Sequence, residues 1–268
     1  MVDVMIRGGG DLASGVAARL HRAGLGVVIT ELLQPLVVRR MASFAQAVFS
    51  GQIEVEGIRA RRVANLDEAG AVLAQGEIAV LVDESLSSLA DLQPVVLVDA
   101  RMRKRPPETA LDAADLVVGL GPGFVAGENC HAVVETMRGH DLGRVFWQGG
   151  AMPDTGVPES VMKKEGERVL RAPVDGVLQG GVAIGRQVKT DEVIAHVDEA
   201  VIKAPFDGVL RGLVADGLQV RAGMKVGDLD PRNDPSYAFR ISDKALAVGG
   251  GVLEAVLTRP EVRDKLWR

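Results

Sequence analysis

The sequence predicts an α/β fold in which helices cover both faces of a parallel sheet, with a small all-β domain attached. Short apolar segments that end at glycine or aspartate alternate with helical patterns over about the first 150 residues. Between Pro153 and about Asp230 the helical period disappears, and glycine, valine and short turns dominate. We therefore expect a first domain at residues 1–155, completed by residues 236–268, and an all-β domain at residues 156–235.

The elements of the first domain follow from the periodicity of its apolar residues. Residues 2–6 predict a strand, Gly8-Gly9-Gly10 a tight turn, residues 11–23 a helix and residues 27–29 a second strand. The same criteria predict strands at 78–82, 95–98, 116–118 and 145–147, helices at 37–49, 66–75, 129–137 and 243–257, and a hairpin at 53–63. Strands that alternate with helices in this way are typical of a parallel sheet.

Three consecutive glycines, at residues 249–251, lie inside the last predicted helix. Each glycine in a helix interior costs about 1 kcal/mol relative to alanine. Either the helix packs its backbone closely against another element, or it breaks at these glycines. We expect its apolar face to return to the first domain.

The composition excludes several classes of protein. The 268 residues carry 36 acidic and 31 basic side chains, and this net charge of -5 argues against nucleic-acid binding. One cysteine cannot build a disulfide framework or a zinc site, so no metal site is predicted. No apolar run approaches the roughly 18 residues that span a bilayer, and the N-terminal apolar stretch ends too early for a signal peptide. We expect a soluble cytoplasmic protein without a membrane or nucleic-acid partner, and a homo-oligomer stays open.

The first glycine turn has the sequence context of a dinucleotide-binding site. The pattern Gly8-x-Gly10-x-x-Ala13 follows a strand and opens a helix, whose free N–H groups attract phosphates. Glu31, 21 residues beyond Gly10, is placed to bind ribose hydroxyls and to favour NAD over NADP. The sequence thus predicts a Rossmann-like domain that binds NAD or a related nucleotide through Gly8, Gly9, Gly10, Asp11, Leu12, Ala13 and Glu31. The alternative is a Rossmann-like fold whose nucleotide site is vestigial or reassigned.

Two further loops belong to the carboxyl ends of predicted strands. One is glycine-rich, with Gly119, Gly121 and Gly123, and either frames the same ligand or is a simple tight turn. The other is basic and runs from Arg101 through Arg103 and Lys104 to Arg105. It attracts an anionic ligand, with Arg39 and Arg40 expected at the same edge, or it is a solvated loop.

Candidates for catalysis are weak. His131 and Glu135 are four residues apart in a predicted helix, where they would act as a base and its orienting partner, act as ligands, or form a structural pair. His140 is a further candidate, with capping and packing as its alternative role. Cys130 is better explained as a small buried residue than as a catalytic thiol. The sequence contains no G-x-S-x-G, Walker A or H-E-x-x-H pattern, which argues against serine-elbow hydrolases, P-loop NTPases and zincins.

The all-β region contains an internal repeat. Arg171-Ala-Pro-Val-Asp-Gly-Val-Leu178 recurs as Lys203-Ala-Pro-Phe-Asp-Gly-Val-Leu210, at an offset of 32 residues. With residues 160–230 as a whole, the repeat resembles the two halves of biotinyl/lipoyl-type domains, which implies a barrel-sandwich hybrid. Carrier domains place the modified lysine in a hairpin between the halves. Lys203 lies where a strand should already run, so we expect no biotin or lipoate attachment.

A set of stretches along the chain resembles a known family. They are Ile6 to Gly15, Thr30-Glu31, Pro35, Val38-Arg39-Arg40, Gly119 to Phe124, His131 to Thr136, Arg138 to Arg144, Thr155 to Pro158, Ile241 to Lys244 and Val252 to Glu254. Together they resemble the YqeB family, accessory proteins of selenium-dependent molybdenum hydroxylase systems. XdhC-type proteins, which serve xanthine dehydrogenase maturation, are a more distant likeness. The resemblance implies that the partner is a molybdenum hydroxylase or its maturation machinery.

Three functions remain open at this point. The first is a maturation factor that binds a nucleotide-bearing cofactor and helps load a molybdenum hydroxylase. Cofactors of the molybdopterin type are among those it could bind. The second is an NAD(P)-dependent oxidoreductase, although no Tyr-x-x-x-Lys pair is present and Tyr237 is the single tyrosine. The third is a scaffold in which nucleotide binding regulates contact with a partner. The sequence leaves open whether the chain is an enzyme.

Overall fold

The chain divides into two units, and the first contains a large sheet. The first unit comprises Met1–Pro35, Phe44–Asp154 and Ile241–Arg268, and the second comprises Leu36–Ser43 and Thr155–Arg240. The sequence pattern had assigned residues 36–43 to the first domain. The structure is a computed structural model that describes residues 2–103, 108–153 and 166–267. Thr155 to Pro158 of the family pattern therefore lie outside the described residues.

Among the described residues, the sheet of the first unit has nine strands and is mostly parallel. In chain order the strands of this unit are β1 (Val4–Arg7), β2 (Val27–Glu31), β3 (Gln52–Val55), β4 (Ile58–Val63), β5 (Ile78–Val82), β6 (Val96–Asp99), β7 (Leu116–Leu120), β8 (Val125–Ala126), β9 (Ala132–Val134), β10 (Val145–Phe146) and β11 (Gly149–Gly150). Across the sheet they run β10-β9-β7-β6-β1-β2-β5-β4-β3, while β8 and β11 pair separately. The antiparallel pairs of the sheet are β3 with β4 and β9 with β10, at its two ends.

Helices cover both faces of this sheet, as the sequence predicts. They are α1 (Asp11–Arg22), α2 (Ala47–Ser50), α3 (Leu66–Ala74), α4 (Leu89–Leu92), α5 (Asp243–Thr258) and α6 (Pro260–Leu266). Residues of α1, α2, α5 and α6 share a buried cluster with Ile6 and Val98, whereas α3 and α4 contribute to the cluster around Met5 and Leu97. This division follows from the alternation of side chains along each strand. Within the described part of the chain, no helix has the length and apolar character that a membrane crossing requires.

The glycines of α5 allow its backbone to pack directly against α1. A Cβ atom at Gly249 would overlap the carbonyl oxygen of Gly15, and one at Gly15 would overlap that of Ala245. A Cβ at Gly251 would overlap the carbonyl oxygen of Gly143. The helix therefore does not break at its glycines but runs unbroken from Asp243 to Thr258, as the first of the two alternatives requires.

Two predicted helices are wrong. Residues 37–49 form short 3-10 turns at Arg40–Ala42 and Phe44–Gln46 before α2, because the N–H groups of this segment bind elsewhere. Phe44 N donates to the Ser14 hydroxyl and Ala45 N to the Gly9 carbonyl, both at 2.9 Å. Residues 129–137 contain strand β9 instead, whose residues are buried and pair in parallel with β7. A short apolar run is compatible with a buried strand as much as with a helix.

In its described residues, the second unit contains two four-stranded antiparallel sheets. Its strands are β12 (Val169–Arg171), β13 (Gly176–Gly180), β14 (Gln187–Val188), β15 (Val193–Val197), β16 (Ala200–Lys203), β17 (Gly208–Leu213), β18 (Gln219–Val220) and β19 (Lys225–Asp230). The sheets have the orders β12-β19-β17-β14 and β16-β15-β13-β18. The 32-residue offset carries β12 to β16, β13 to β17, β14 to β18 and β15 to β19. Each sheet therefore takes two strands from each copy of the repeat.

Equivalent hydrogen bonds show that the sequence repeat is also a structural repeat. Asp175 accepts the N–H of Ala222 at 2.7 Å, and Asp207 accepts that of Thr190 at 2.8 Å. Each of these hydrogen bonds joins one copy of the repeat to the other. Asp175 and Thr190 belong to the first copy, and Asp207 and Ala222 belong to the second. Lys203 lies on β16, where its Cα pairs with that of Val193.

The neighbouring glycines of α5 give a matched test of the helix packing. Gly249→Ala should lower the free energy of unfolding by about 1–3 kcal/mol, because the added methyl group overlaps the backbone of α1. Gly250→Ala is the control: nothing lies within 4 Å of its Cβ position, so alanine should stabilise by up to about 1 kcal/mol. Urea unfolding of the two variants measures the difference. Equal effects would show that α5 and α1 are not in backbone contact.

Candidate functional site

The carboxyl ends of the parallel strands bring the predicted loops to one edge of the sheet. Strand β2 lies on one side of β1 and strand β6 lies on the other, so the order of the strands reverses at β1. Ligands of open α/β sheets bind at such a reversal of strand order. The turn Gly8–Gly10 follows β1, Arg101 follows β6, and the loop with Gly121 follows β7.

The turn after β1 presents the start of α1 without a side-chain cap. Gly8 has a φ of +89°, which favours glycine, and its N–H donates to the Thr30 carbonyl at 2.7 Å. Gly10 is the N-cap residue and makes no side-chain capping hydrogen bond. The first N–H groups of a helix lack intrahelical acceptors, so Asp11, Leu12 and Ala13 give this edge a positive end of the helix dipole.

The middle glycine of the turn is required by packing within the protein. A Cβ at Gly9 would lie 2.9 Å from the backbone nitrogen of Ala45 and 3.1 Å from a methyl carbon of Ile29. Gly9 is also buried. The first and last glycines of the turn are therefore its better candidates for contact with a ligand.

Glu31 anchors the turn. One carboxylate oxygen accepts the N–H of Gly9 at 2.7 Å and the other accepts the N–H of Leu32 at 2.8 Å. Burial raises the pKa of Glu31, and the two backbone hydrogen bonds oppose that shift. A carboxylate has about four lone-pair sites, so these two bonds leave acceptor capacity for a ribose hydroxyl.

A buried arginine and a buried aspartate face each other across β1 and β6. The Cα atoms of Arg7 and Asp99 are paired in the register of these strands, and their side chains lie 3.8 Å apart. The Arg101 guanidinium binds Asp99 by two fork contacts, Nε to Oδ1 at 3.0 Å and Nη2 to Oδ2 at 2.6 Å. Arg7 also donates to the Thr109 hydroxyl at 2.9 Å. Sequence reasoning missed Arg7, although a charged residue ending a buried strand signals a partner at the same edge.

The basic loop continues this network toward solvent. Arg103 donates to Glu108 at 2.9 Å, and Arg101 donates to the same carboxylate at 3.3 Å. The predicted anion site thus contains acidic partners that the sequence pattern did not assign to it. Lys104 and Arg105 of the basic segment lie outside the described residues.

The glycines of the loop after β7 are explained by close contacts within the protein. A Cβ at Gly119 would overlap the ring of Phe124, and one at Gly121 would lie 2.5 Å from the Thr136 hydroxyl oxygen. Gly121 and Gly123 also have φ values of +72° and +99°. These contacts fit the tight-turn interpretation, while the loop remains at the same sheet edge as the first glycine turn.

The predicted pairing of His131 with Glu135 on one helix face is wrong. The two residues flank strand β9 on opposite ends, so roughly 13 Å of extended chain separates them. The Nδ1 atom of His131 accepts the N–H of Val117 at 2.9 Å, toward the amino half of β7. Burial lowers the pKa of His131, and the charge of Arg259 adds to that shift.

Glu135 holds the loops around β9 in place. It is 1% exposed, and its carboxylate accepts N–H groups of Thr136 and Met137 at 2.7 Å and of Met152 at 2.8 Å. This set of bonds describes a structural anchor. His140 lies exposed in a turn.

Cys130 is fully buried, and burial raises its pKa to about 11, against a smaller opposing effect of its hydrogen bond with Gly119. A thiol with this pKa is not ionised at neutral pH, and the thiolate is the nucleophilic form. The side chain therefore acts as a small core residue, in agreement with the preferred interpretation of the sequence.

Arg39 and Arg40 belong to the second unit and bind carbonyl oxygens there. Arg39 donates to the carbonyls of Tyr237 and Arg240 at 2.9 and 2.7 Å, and Arg40 donates to that of Leu213 at 3.0 Å. These bonds fasten the segment Leu36–Ser43 within its own unit. The expectation that both arginines serve the anion site after β1 stays a prediction.

Asp83 stabilises the loop after β5 at the same sheet edge. Its carboxylate accepts the N–H and the hydroxyl of Ser87 at 3.0 and 3.1 Å, and those of Ser88 at 2.8 and 2.6 Å. Burial acts to raise the pKa of Asp83, but the hydrogen bonds from Ser88 and Ser87 outweigh it and hold the pKa at about 2. The ionised carboxylate therefore organises this loop.

Comparison with known proteins supports the resemblance seen in the sequence. The chain is 48% identical over 254 residues to the uncharacterized protein YqeB of Escherichia coli (strain K12), a match that covers 95% of this chain and 47% of that protein. The chain thus spans about half the length of the curated relative it matches. The match supports the resemblance of this chain to the YqeB family. No protein-family model matches the chain.

Solved structures give weaker likenesses. An aspartoacylase family protein from Mesorhizobium loti aligns at 9% identity with a TM-score of 0.27, covering 85% of each chain. The ectoine utilization protein EutE from Ruegeria pomeroyi aligns at 12% identity with a TM-score of 0.24, covering 84% of this chain and 56% of that chain. TM-scores this low carry no conclusion about fold or function.

Acidification should remove the stabilisation that ionised Asp83 provides. Because its folded pKa of about 2 lies below the ordinary value of 3.8, this stabilisation is complete above about pH 4 and is lost as the pH falls toward 2. Asp83→Asn should therefore lower the free energy of unfolding at neutral pH and flatten its acid dependence between these values. Urea unfolding at several pH values measures both effects, with Asp91→Asn as the control on the neighbouring helix. An unchanged acid slope in Asp83→Asn would contradict the assignment.

Proposed function

We propose that the first unit binds the pyrophosphate of a nucleotide and that the chain is an accessory factor in the maturation of a molybdenum hydroxylase. One observation carries the first part: at the reversal of strand order, an uncapped helix start lies next to an arginine network. A Cβ at Gly8 would be 3.4 Å from the Arg101 side chain, so the turn and the network are neighbours at this edge. The second part rests on the resemblance to the YqeB family.

The charges at this edge fit an anionic group. Within the arginine network, Arg7, Arg101 and Arg103 face the carboxylates of Asp99 and Glu108, which leaves one positive charge in excess in that network. Two further acidic residues, Asp11 and Glu31, lie at the glycine turn beside it. The start of α1 adds the positive end of its dipole. Guanidinium groups and helix N-termini are both common partners of phosphates in proteins.

Two kinds of ligand have the phosphate groups for which this edge is suited. One is NAD, and the other is a molybdopterin-type cofactor that carries a nucleotide. Gly8 and Gly10 would allow backbone approach, and Arg101 and Arg103 would neutralise charge. The remaining acceptor capacity of Glu31 suits a ribose without a 2′-phosphate. This chemistry supports a nucleotide-bearing ligand without separating the two cofactors.

We further propose that the second unit is a barrel-sandwich hybrid that serves for docking and carries neither biotin nor lipoate. Two sheets that exchange strands between copies of one repeat support this architecture. Lys203 lies on β16, whereas carrier domains present their lysine in a hairpin. The molybdenum hydroxylase, or its maturation machinery, is the partner that the family resemblance suggests.

An NAD-dependent oxidoreductase is the second candidate, favoured by Glu31 at the end of β2. The single tyrosine, Tyr237, is not part of a Tyr-x-x-x-Lys pair, and its ring stacks under the Arg232 guanidinium at 4.4 Å. Mass spectrometry of small molecules released from the denatured, purified protein distinguishes the candidates. A pterin-bearing nucleotide supports the accessory role, whereas NAD with turnover of a substrate supports the oxidoreductase. NAD without turnover supports a nucleotide-sensing scaffold.

Substitutions in the first glycine turn should separate ligand binding from folding. Gly10 has φ −71° and ψ −167°, which alanine adopts, so Gly10→Ala should fold and lose nucleotide affinity at least tenfold by blocking the phosphate. Gly9→Ala should instead destabilise the fold, because its Cβ meets Ala45. Calorimetric titration with ADP and NAD, alongside thermal unfolding, measures both. Unchanged affinity in Gly10→Ala would remove the turn from the site.

Replacing Arg101 and Arg103 by alanine should abolish activation of the partner hydroxylase in cells. Charge-assisted contacts contribute about 1.5–3 kcal/mol each, so losing two should weaken ligand binding by a hundredfold or more. Hydroxylase polypeptide should still accumulate, without active cofactor. Arg59→Ala with Arg61→Ala is the control, since it removes two arginines from strand β4. Normal hydroxylase activity with the Arg101→Ala and Arg103→Ala variant would exclude these two arginines from the mechanism. Normal hydroxylase activity in a strain without the gene would exclude the maturation role.

A further inference from the structure

The arginine network of the first unit contains one buried and one exposed carboxylate. Asp99 is 1% exposed and is held by both Arg101 and the strand register, so it belongs to the fold. The Glu108 side chain is 63% exposed. The two carboxylates therefore differ in how readily they can leave the arginines.

Glu108 contacts three guanidinium groups at once. Its carboxylate lies 2.9 Å from Arg103, 3.3 Å from Arg101 and 4.0 Å from Arg7. The hydrogen bond from Arg101 and the charge of Arg103 lower the pKa of Glu108, so it is ionised at neutral pH. An anionic side chain thus occupies the point toward which three cationic side chains converge.

We propose that Glu108 is an internal stand-in for a phosphate group, and that a nucleotide's pyrophosphate displaces it from Arg101 and Arg103. This inference rests on the proposed nucleotide site. The charges favour the exchange: without Glu108 the three arginines and Asp99 leave two positive charges, which the two negative charges of a dinucleotide's pyrophosphate neutralise. Glu108 supplies one negative charge and neutralises half of that excess.

The geometry also favours a phosphate over the glutamate. Glu108 accepts from Nη1 of Arg101 and Nη1 of Arg103 through separate oxygens. A phosphate has two or three terminal oxygens, which can accept from the same two nitrogens while Asp99 keeps the fork of Arg101. An ion pair as exposed as this one contributes little to stability, so the fold does not depend on it. Because Gly8 and Arg101 are neighbours, the vacated position lies near the first glycine turn.

The second unit provides a contrast within the same chain. Its network joins Arg211 and Arg232 to Asp228 and Asp230, which are 2% and 0% exposed. Both of these carboxylates are buried, as Asp99 is. The network at the proposed nucleotide site therefore differs from that of the second unit in one respect: one of the carboxylates that bridge its arginines, Glu108, is exposed.

Glu108→Gln tests the proposal in the full chain. It keeps the size of the side chain and removes the charge that competes with the ligand. Calorimetric titration with ADP should show affinity about tenfold higher than in the wild type, within the usual range of coupling between competing interactions. Adenosine, which lacks phosphates, should gain nothing. Glu128→Gln, an exposed glutamate outside the network, is the matched control and should leave ADP affinity unchanged.

The outcomes separate this inference from the proposed function. Tighter ADP binding by Glu108→Gln, lost again when Arg103→Ala is added, supports the displacement of Glu108. Wild-type affinity or weaker binding in a folded Glu108→Gln variant would overturn it and leave the nucleotide site standing. An equal gain for adenosine would also overturn it, because the effect would not lie at the phosphates. Absence of ADP binding in both wild type and variant would overturn the nucleotide site and this inference together.

Discussion

The direct contact between the backbones of α1 and α5 is the constraint on which the first unit depends. Helix α5 completes the core on one face of the sheet, although the whole second unit precedes it in the chain. Gly15 and Gly249 permit this contact because neither carries a Cβ. Since α1 begins immediately after the first glycine turn, the same contact fixes the helix start at which we place the ligand. Helix α5 and the candidate site are thus physically connected.

Charges at the sheet edge serve the fold before they serve a ligand. Burying a charged group is costly unless it is paired, and Arg7 and Asp99 meet that requirement across neighbouring strands. Their pairing joins β1 to β6 at the point where the strand order reverses. Arg101 then shares the buried carboxylate, which leaves positive charge directed outward. A structural ion pair and an anion-attracting surface therefore arise from the same few residues.

The sequence predicted the parallel sheet, the presence of α5 and the internal repeat because each has a periodic or repeated signal, but it left open whether α5 breaks at its glycines. It failed where tertiary hydrogen bonds override local preference, as at Phe44 and Ala45, and where a short apolar run around β9 fits either a helix or a strand. The sequence predicted that the glycine turn, the basic loop and the loop with Gly121 lie at one edge of the sheet, since the carboxyl ends of parallel strands share one edge. Arg7 and Glu108 were missed because partners of opposite charge far apart in sequence carry no local pattern. The second role of Gly9, packing against Ala45, was hidden for the same reason.

The exchange of strands in the second unit has a consequence for how its two copies depend on each other. A single copy supplies two strands to each sheet and leaves both sheets half built. One copy alone would satisfy its strand edges only by pairing with an identical chain about a two-fold axis. The unit therefore has the geometry of a homodimer whose subunits are fused end to end. Fusion replaces an encounter between two chains by a high effective concentration within one, so assembly no longer depends on how much protein is present.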